Sequence, residues 1–241
     1  MSELVDHFGE EVAARYDEST ADMPVEPVVA FFAELAGDGA ALELAIGTGR
    51  IAVPLAQRGV PVHGIELSNA MAARLREKPG ADEIGVTIGD FTTAKADGTF
   101  AVAYLVFNTV MNVTTQAEQV ATFRNAAAHL EAGGCFVVEV MVPDLQRLPP
   151  GETSRPFNLS ADHVGLDEYD VANQGLRSHH FSLVDGTWQY LTMPFRYVWP
   201  SELDLMAELA GLRLRDRWAD WSREPFTSES RKHVSVWEKP R

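Results

Sequence analysis

The run Leu42-Glu43-Leu44-Ala45-Ile46-Gly47-Thr48-Gly49-Arg50-Ile51-Ala52 constrains this chain more than any other stretch. An apolar segment ends at Ile46, a glycine turn follows, and an amphipathic segment then runs to Gly59. That order is a strand, a tight turn and a helix. The glycines let the turn's backbone approach a ligand closely, and the start of the helix offers unpaired N–H groups. Together they describe a nucleotide-binding half-fold. Glu43 is the one acid inside the apolar run.

The same rhythm continues along the chain. Residues 41–46, 61–67, 84–88, 100–107 and 136–142 read as strands. Helices are expected over 50–58, 69–78 and 116–131. Ser68 caps the second of these, Thr115 with Glu118 forms a capping box for the third, and Gly133-Gly134 stops it. Residues 3–36 read as helical with a break near Met23-Pro24. Alternating strands and helices imply a parallel sheet covered on both faces. After Pro143 the pattern changes. Residues 148–156 read as a loop, and β-rich runs follow at 163–171, 176–184 and 188–199, separated by turn residues. Ser201 is expected to cap a helix ending at Gly211, and 212–221 with 233–238 to form a closing antiparallel pair.

The composition narrows the function. A formal net charge of −15 repels phosphate backbones, so no nucleic-acid partner is expected. Residues 1–16 carry charges throughout and read as no signal peptide, and no apolar run reaches membrane-spanning length. The expected setting is the cytoplasm, with no membrane partner. The lone Cys135 reads as a small core residue, and no Cys/His spacing suggests a metal.

In open parallel sheets, ligands bind beyond the carboxyl ends of the strands. Those ends carry Gly47-Thr48-Gly49, then Glu66, then Gly89-Asp90-Phe91, then Phe107-Asn108-Thr109. A carboxylate at the second position can accept both hydroxyls of a ribose. An acid followed by an aromatic at the third suits an adenine amine and its ring face.

On these residues the chain resembles the class I S-adenosylmethionine-dependent methyltransferases, over nearly its whole length. Glu43 through Gly49 matches the family's first motif, Glu66 its second and Gly89-Asp90-Phe91 its third. The resemblance implies an α/β fold: a Rossmann-like, mostly parallel seven-stranded sheet with a reversed last strand, plus an antiparallel β insertion after strand five. It divides the chain into an N-terminal helical lid (1–36), a core (37–143 and 200–241) and an insertion (144–199) that forms an acceptor wall or a dimer surface.

The implied cofactor is S-adenosyl-L-methionine, with no metal. Gly47 and Gly49 approach its methionyl part, with Thr48 between them and Glu43 before them. Glu66 holds the ribose hydroxyls, Asp90 and Phe91 frame the adenine, and Leu67 and Met71 pack on it. Phe107 and Asn108 complete the set at the fourth strand end. Arg15-Tyr16-Asp17 resembles a Tyr-Asp element of small-molecule methyltransferases, in which the tyrosine lies beside the methionyl end. Arg15 is a candidate partner for the cofactor carboxylate.

The order of elements also resembles bacterial sugar N,N-dimethyltransferases and, more distantly, glycine N-methyltransferase. The sugar enzymes carry a histidine a few residues past the fourth strand. Asn112 stands at that position here and cannot act as a base at neutral pH. The candidate catalytic residues are Tyr16, Asn112, Glu139 (a carboxylate inside an apolar strand, read as facing a cavity, with a structural ion pair as the alternative) and His179 in the insertion. The expected reaction is methyl transfer to N or O of a small molecule in specialised metabolism, by an enzyme that can form a homodimer. Two rival readings are a nicotinamide-dependent oxidoreductase, which also has a glycine turn and a later acid, and a non-catalytic cofactor-binding protein of the same fold.

Overall fold

The structure is a computed structural model and describes residues 8–241. The helical expectation for residues 3–7 lies outside the described residues. Helices α1 (Glu10–Ser19) and α2 (Glu26–Ala36) precede the sheet and are separated at Met23-Pro24. The core then follows as β1 (Ala41–Leu44), α3 (Ala52–Gln57), β2 (Val62–Glu66), α4 (Asn69–Arg76), β3 (Gly85–Ile88), β4 (Phe100–Leu105), α5 (Gln116–His129) and β5 (Leu130–Met141). The insertion supplies β6 (Ser154–Leu159), β7 (His163–Asp170), β8 (Gly175–Val184) and β9 (Thr187–Arg196). Helix α6 (Pro200–Leu209) and strands β10 (Arg213–Trp218) and β11 (Lys232–Glu238) close the chain.

The seven-stranded sheet runs β10-β11-β5-β4-β1-β2-β3. Strands β1 to β5 are parallel, and β11 is antiparallel to both β5 and β10. The strand order reverses between β1 and β4, the switch point at which open α/β sheets leave a crevice. The glycine turn leaves β1 and the Phe107-Asn108 turn leaves β4, so the two turns flank this crevice.

Both faces of the sheet are covered, which is why its strands read as near-continuous apolar runs. One face packs Leu42, Leu44, Phe123, Phe136 and Trp237 with α5 and α6. The other packs Val29, Phe32, Leu55, Tyr104 and Val137 with α2 and α3. Ser68 caps α4 and the Thr115–Glu118 capping box starts α5, as the sequence indicates.

Three boundaries differ from expectation. Helix α5 ends at His129 rather than Glu131, and the chain passes straight into β5. Gly133-Gly134 therefore lies inside a strand, where the Gly133 N–H donates to the Lys239 carbonyl. Helix α6 starts on Pro200, whose missing N–H costs nothing at a first helical position, so Ser201 is not its cap. The loop expected over 148–156 runs into strand β6, which pairs with β7 through a bulge between Pro156 and Asn158.

The insertion forms a separate antiparallel sheet, β6-β7-β8-β9. Its inner face places Tyr169 and Leu176 in the same core as Met111 and Phe136. A buried ion pair fixes it to the core. Arg196 binds Glu202 (2.7 Å) and Gln119, and Gln174 donates to the second oxygen of Glu202 (2.7 Å). Removing one member of such a pair leaves an unpaired buried charge at a cost of about 3–5 kcal/mol.

Candidate active site

The crevice begins at the end of β1. Ala45, Gly47 and Gly49 all have positive φ (56°, 58° and 77°), so the chain folds back sharply before α3. A side chain at Gly49 would also meet Leu75 at 2.8 Å, so this position needs glycine for space as well as for conformation. At the end of β2 the Glu66 carboxylate is buried and accepts from the Gly47 N–H (2.7 Å) and the Ser68 N–H (2.8 Å). This acid therefore ties the glycine turn to the start of α4. Met71 lies beneath the turn, with its Cε 3.3 Å from where a Gly47 Cβ would stand, and Leu67 is exposed. At the end of β3, Asp90 accepts from the Thr92 N–H (2.8 Å) and hydroxyl (2.6 Å). The Phe91 ring is buried within the core.

Helix α1 docks over the turn. Asp17 accepts from the Thr48 hydroxyl (2.6 Å) and pairs with Lys78 (2.8 Å), and Ser68 donates to the Phe8 carbonyl (2.7 Å). Burial raises the Tyr16 phenol above its ordinary range, and the Arg50 guanidinium opposes that shift. Glu43 is buried beside Tyr104, whose hydroxyl donates to it (3.1 Å). Burial pushes the Glu43 carboxyl up to about 8, against the opposing pull of the Tyr104 hydrogen bond and the Arg50 charge.

Arg50 is the residue that the sequence reading passed over. Among the described residues its buried Nη1 has no hydrogen-bond partner, and its guanidinium carbon lies 5.9 Å from the centre of the Phe107 ring. A buried guanidinium N–H without an acceptor is costly until an anion meets it. The residues therefore fit a cofactor that ends in a carboxylate. Arg15, the alternative partner, is exposed on α1. The available signal was Arg50's place directly after the second glycine of the turn.

At the end of β4, Phe107 and Asn108 both adopt left-handed backbone (φ 56° and 61°), an uncommon conformation for such residues. Glu139 holds them there. Its Oε2 accepts from the Phe107 N–H (3.1 Å), while Oε1 accepts from the Trp221 indole (3.0 Å) and lies 3.4 Å from the Lys232 ammonium. The Asn108 side chain in turn accepts from the Met141 N–H (2.7 Å). Glu139 is thus occupied by the protein's own donors rather than directed at an acceptor, which corrects the sequence expectation.

A cavity of about 380 Å³ opens between this turn and the inner face of the insertion. Phe107, Asn108, Met111, Met141 and Phe157 line it, and Asp167, Ser178 and His180 supply its polar wall. Met111 lines the cavity; Asn112, the neighbouring candidate, does not. The histidine expectation also shifts by one residue. His180 shares the cavity face of β8 with Leu176 and Ser178. His179 points to the opposite face, stacked on Tyr190 and 3.3 Å from Glu168.

These features define a class. The chain belongs to the class I S-adenosylmethionine-dependent methyltransferases. Residues 41–134 match the family model described as a methyltransferase domain. The structure superposes on that of the CcbJ methyltransferase from Streptomyces caelestis with a TM-score of 0.86 and 37% identity, covering 97% of this chain and 98% of the other. It is also similar to cypemycin N-terminal methyltransferase from a Streptomyces species, at 27% identity over 201 residues and 82% of each chain. The fold is shared with SAM-bound CalS10, an amino pentose methyltransferase from Micromonospora echinaspora, at a TM-score of 0.65, 21% identity and 95% coverage of both chains.

Proposed function

We propose that this enzyme methylates an amine nitrogen of a small molecule in specialised metabolism. The observation that carries the reading is the junction at the switch point. Phe107 lines the 380 Å³ cavity, and Arg50, the residue after the glycine turn, lies 5.9 Å from the centre of its ring, which supports a donor site next to an acceptor site. The similarity to a methyltransferase named for an amino terminus favours nitrogen over oxygen.

In this reading Gly47, Thr48 and Gly49 approach the methionyl part of S-adenosylmethionine, and Arg50 meets its carboxylate. Glu66 accepts from the ribose hydroxyls, and Asp90 accepts from the adenine amine. Residues 8–36 act as a lid that places Tyr16 over the same end of the site. When bound, the cofactor supplies an electrophilic methyl group on a sulfonium whose leaving form is a neutral thioether, so no acid is required for departure. The protein's work is positioning, which can supply much of the acceleration of such a displacement. Phe107, Met111, Met141 and Phe157 exclude water and fix the acceptor's approach.

The test is binding followed by turnover. Calorimetric titration should show S-adenosylmethionine binding and no binding of reduced nicotinamide nucleotides. S-adenosylhomocysteine should then be released with members of an amine panel and not with phenols, alcohols or carboxylic acids. Absence of cofactor binding, or release with oxygen acceptors alone, overturns the reading.

A further inference from the structure

Asp167, Ser178 and His180 form the polar wall of the cavity on the inner face of the insertion, and His163 stands next to His180. Asp167 on β7 lies directly across from Ser178 on β8, and both line the cavity. Ser178 Oγ is 3.2 Å from His180 Nε2, and His180 Nδ1 is 3.2 Å from His163 Nε2, the two imidazoles being stacked. Phe157 closes edge-on against His180 at 5.3 Å. Among the described residues Asp167 has no Lys or Arg partner. The groups acting on it are Ser178 and, from the next position on β8, His179. A half-buried carboxylate without a cation, set in an aromatic and thioether cavity, is a poor structural element and a good cation receptor.

We propose that Asp167 is the ammonium anchor and proton acceptor for the amine substrate, with Ser178, His180 and His163 carrying the proton away from the cavity. This rests on the amine reading above and assigns its chemistry to particular residues. An amine arrives at neutral pH as an ammonium ion and has no lone pair with which to attack. One N–H bond breaks, its electron pair stays on nitrogen, and the proton passes to the Asp167 carboxylate. The freed pair forms the N–CH₃ bond as the C–S bond breaks with its electrons going to sulfur. The product leaves as a methylated ammonium ion, and one proton is released per turnover. Burial raises the Asp167 carboxyl above its ordinary range, which narrows the gap to an amine, and burial also keeps His180 neutral enough to receive a proton.

The experiment uses the full-length protein saturated with S-adenosylhomocysteine and a matched pair of probes, N-methylbenzylamine and benzyl methyl ether. Both are titrated by ligand-observed NMR. Wild type should bind the amine about tenfold more tightly than the ether, because only the amine gains a charge-assisted hydrogen bond. Asp167→Asn should abolish that preference while leaving S-adenosylhomocysteine affinity unchanged, and Asp167→Glu should restore part of it. Equal binding of the two probes to wild type, or a preference that survives in Asp167→Asn, overturns the proposal. If the enzyme releases S-adenosylhomocysteine only with oxygen acceptors, the amine reading falls and this proposal with it. If it methylates amines but Asp167→Asn keeps the preference, the proposal alone falls.

Discussion

Glu139 offers the sharpest test of how the site is built. Its two carboxylate oxygens accept from the Phe107 N–H and the Trp221 indole, and Lys232 lies beside one of them. Glu139→Gln keeps one acceptor oxygen and replaces the other with an NH₂ group that faces a donor. A hydrogen bond to a charged group contributes about 1.5–3 kcal/mol. One such bond is lost and a donor–donor contact replaces it, so the expected destabilisation is about 2–4 kcal/mol. For a chain of this size that corresponds to a fall in Tm of roughly 4–16 °C. The left-handed conformation of Phe107 would relax with it, since the Glu139 carboxylate is the acceptor of the Phe107 N–H. Urea denaturation gives the stability loss, and turnover against cofactor affinity gives the functional one: kcat should fall while S-adenosylmethionine binding stays within about threefold. A loss under about 0.5 kcal/mol with a selective collapse of kcat would refute the structural role and return Glu139 to the acceptor side of the site.

The remaining predictions address the donor site. Arg50→Met should weaken S-adenosylhomocysteine binding by about 10–100-fold, the worth of a charge-assisted hydrogen bond in a desolvated place, and should raise stability slightly because an unsatisfied donor is removed. Unchanged affinity by calorimetry contradicts the carboxylate assignment. Glu43 gives a pH signature. Its carboxyl is raised to about 8 in the fold, so the folded chain keeps a proton that the unfolded chain has released between about pH 4.5 and 8. Stability from this group is therefore fully present below about pH 4.5 and is lost as pH rises through 8. Denaturation midpoints of Glu43→Gln should fall less steeply than wild type across that window; parallel curves would contradict it. Glu202→Gln should loosen the insertion by leaving Arg196 without its anion, at a cost of about 3–5 kcal/mol, seen as faster amide exchange across β8 and β9. Exchange unchanged there would show that the pair is not what fixes the insertion.

The backbone features of the candidate donor site were legible in the sequence because they are written in local backbone chemistry. A glycine turn after β1, an N-cap serine on α4 and acids at the ends of β2 and β3 are all set by neighbours a few residues apart. The reversed β10–β11 pair was legible for the same reason. The acceptor half depends on register and on distant partners. Whether His179 or His180 faces the cavity is decided by the pairing of β7 with β8, and a one-residue offset exchanges the two faces. Asp167 looks like any strand carboxylate until Ser178 is placed across from it. Glu139 is an acid in an apolar strand in either reading; only the positions of Phe107, Trp221 and Lys232 show that it is already paired. Arg50 sat beside the most conspicuous motif in the chain, but its orphaned donor is a property of burial, which spacing does not reveal. Strand β6 was hidden by Pro156, which reads as a loop residue and here is accommodated on an edge strand beside a bulge.

We propose that the carboxyl ends of β1 to β3 hold S-adenosylmethionine through the turn and the acids that follow it. Isothermal titration of S-adenosylhomocysteine into wild type, Glu66→Ala and Asp90→Ala tests it most directly. Wild type should show saturable one-site binding, weakened by about 1–3 kcal/mol in each variant through lost hydrogen bonds. Wild-type affinity in both variants would contradict it.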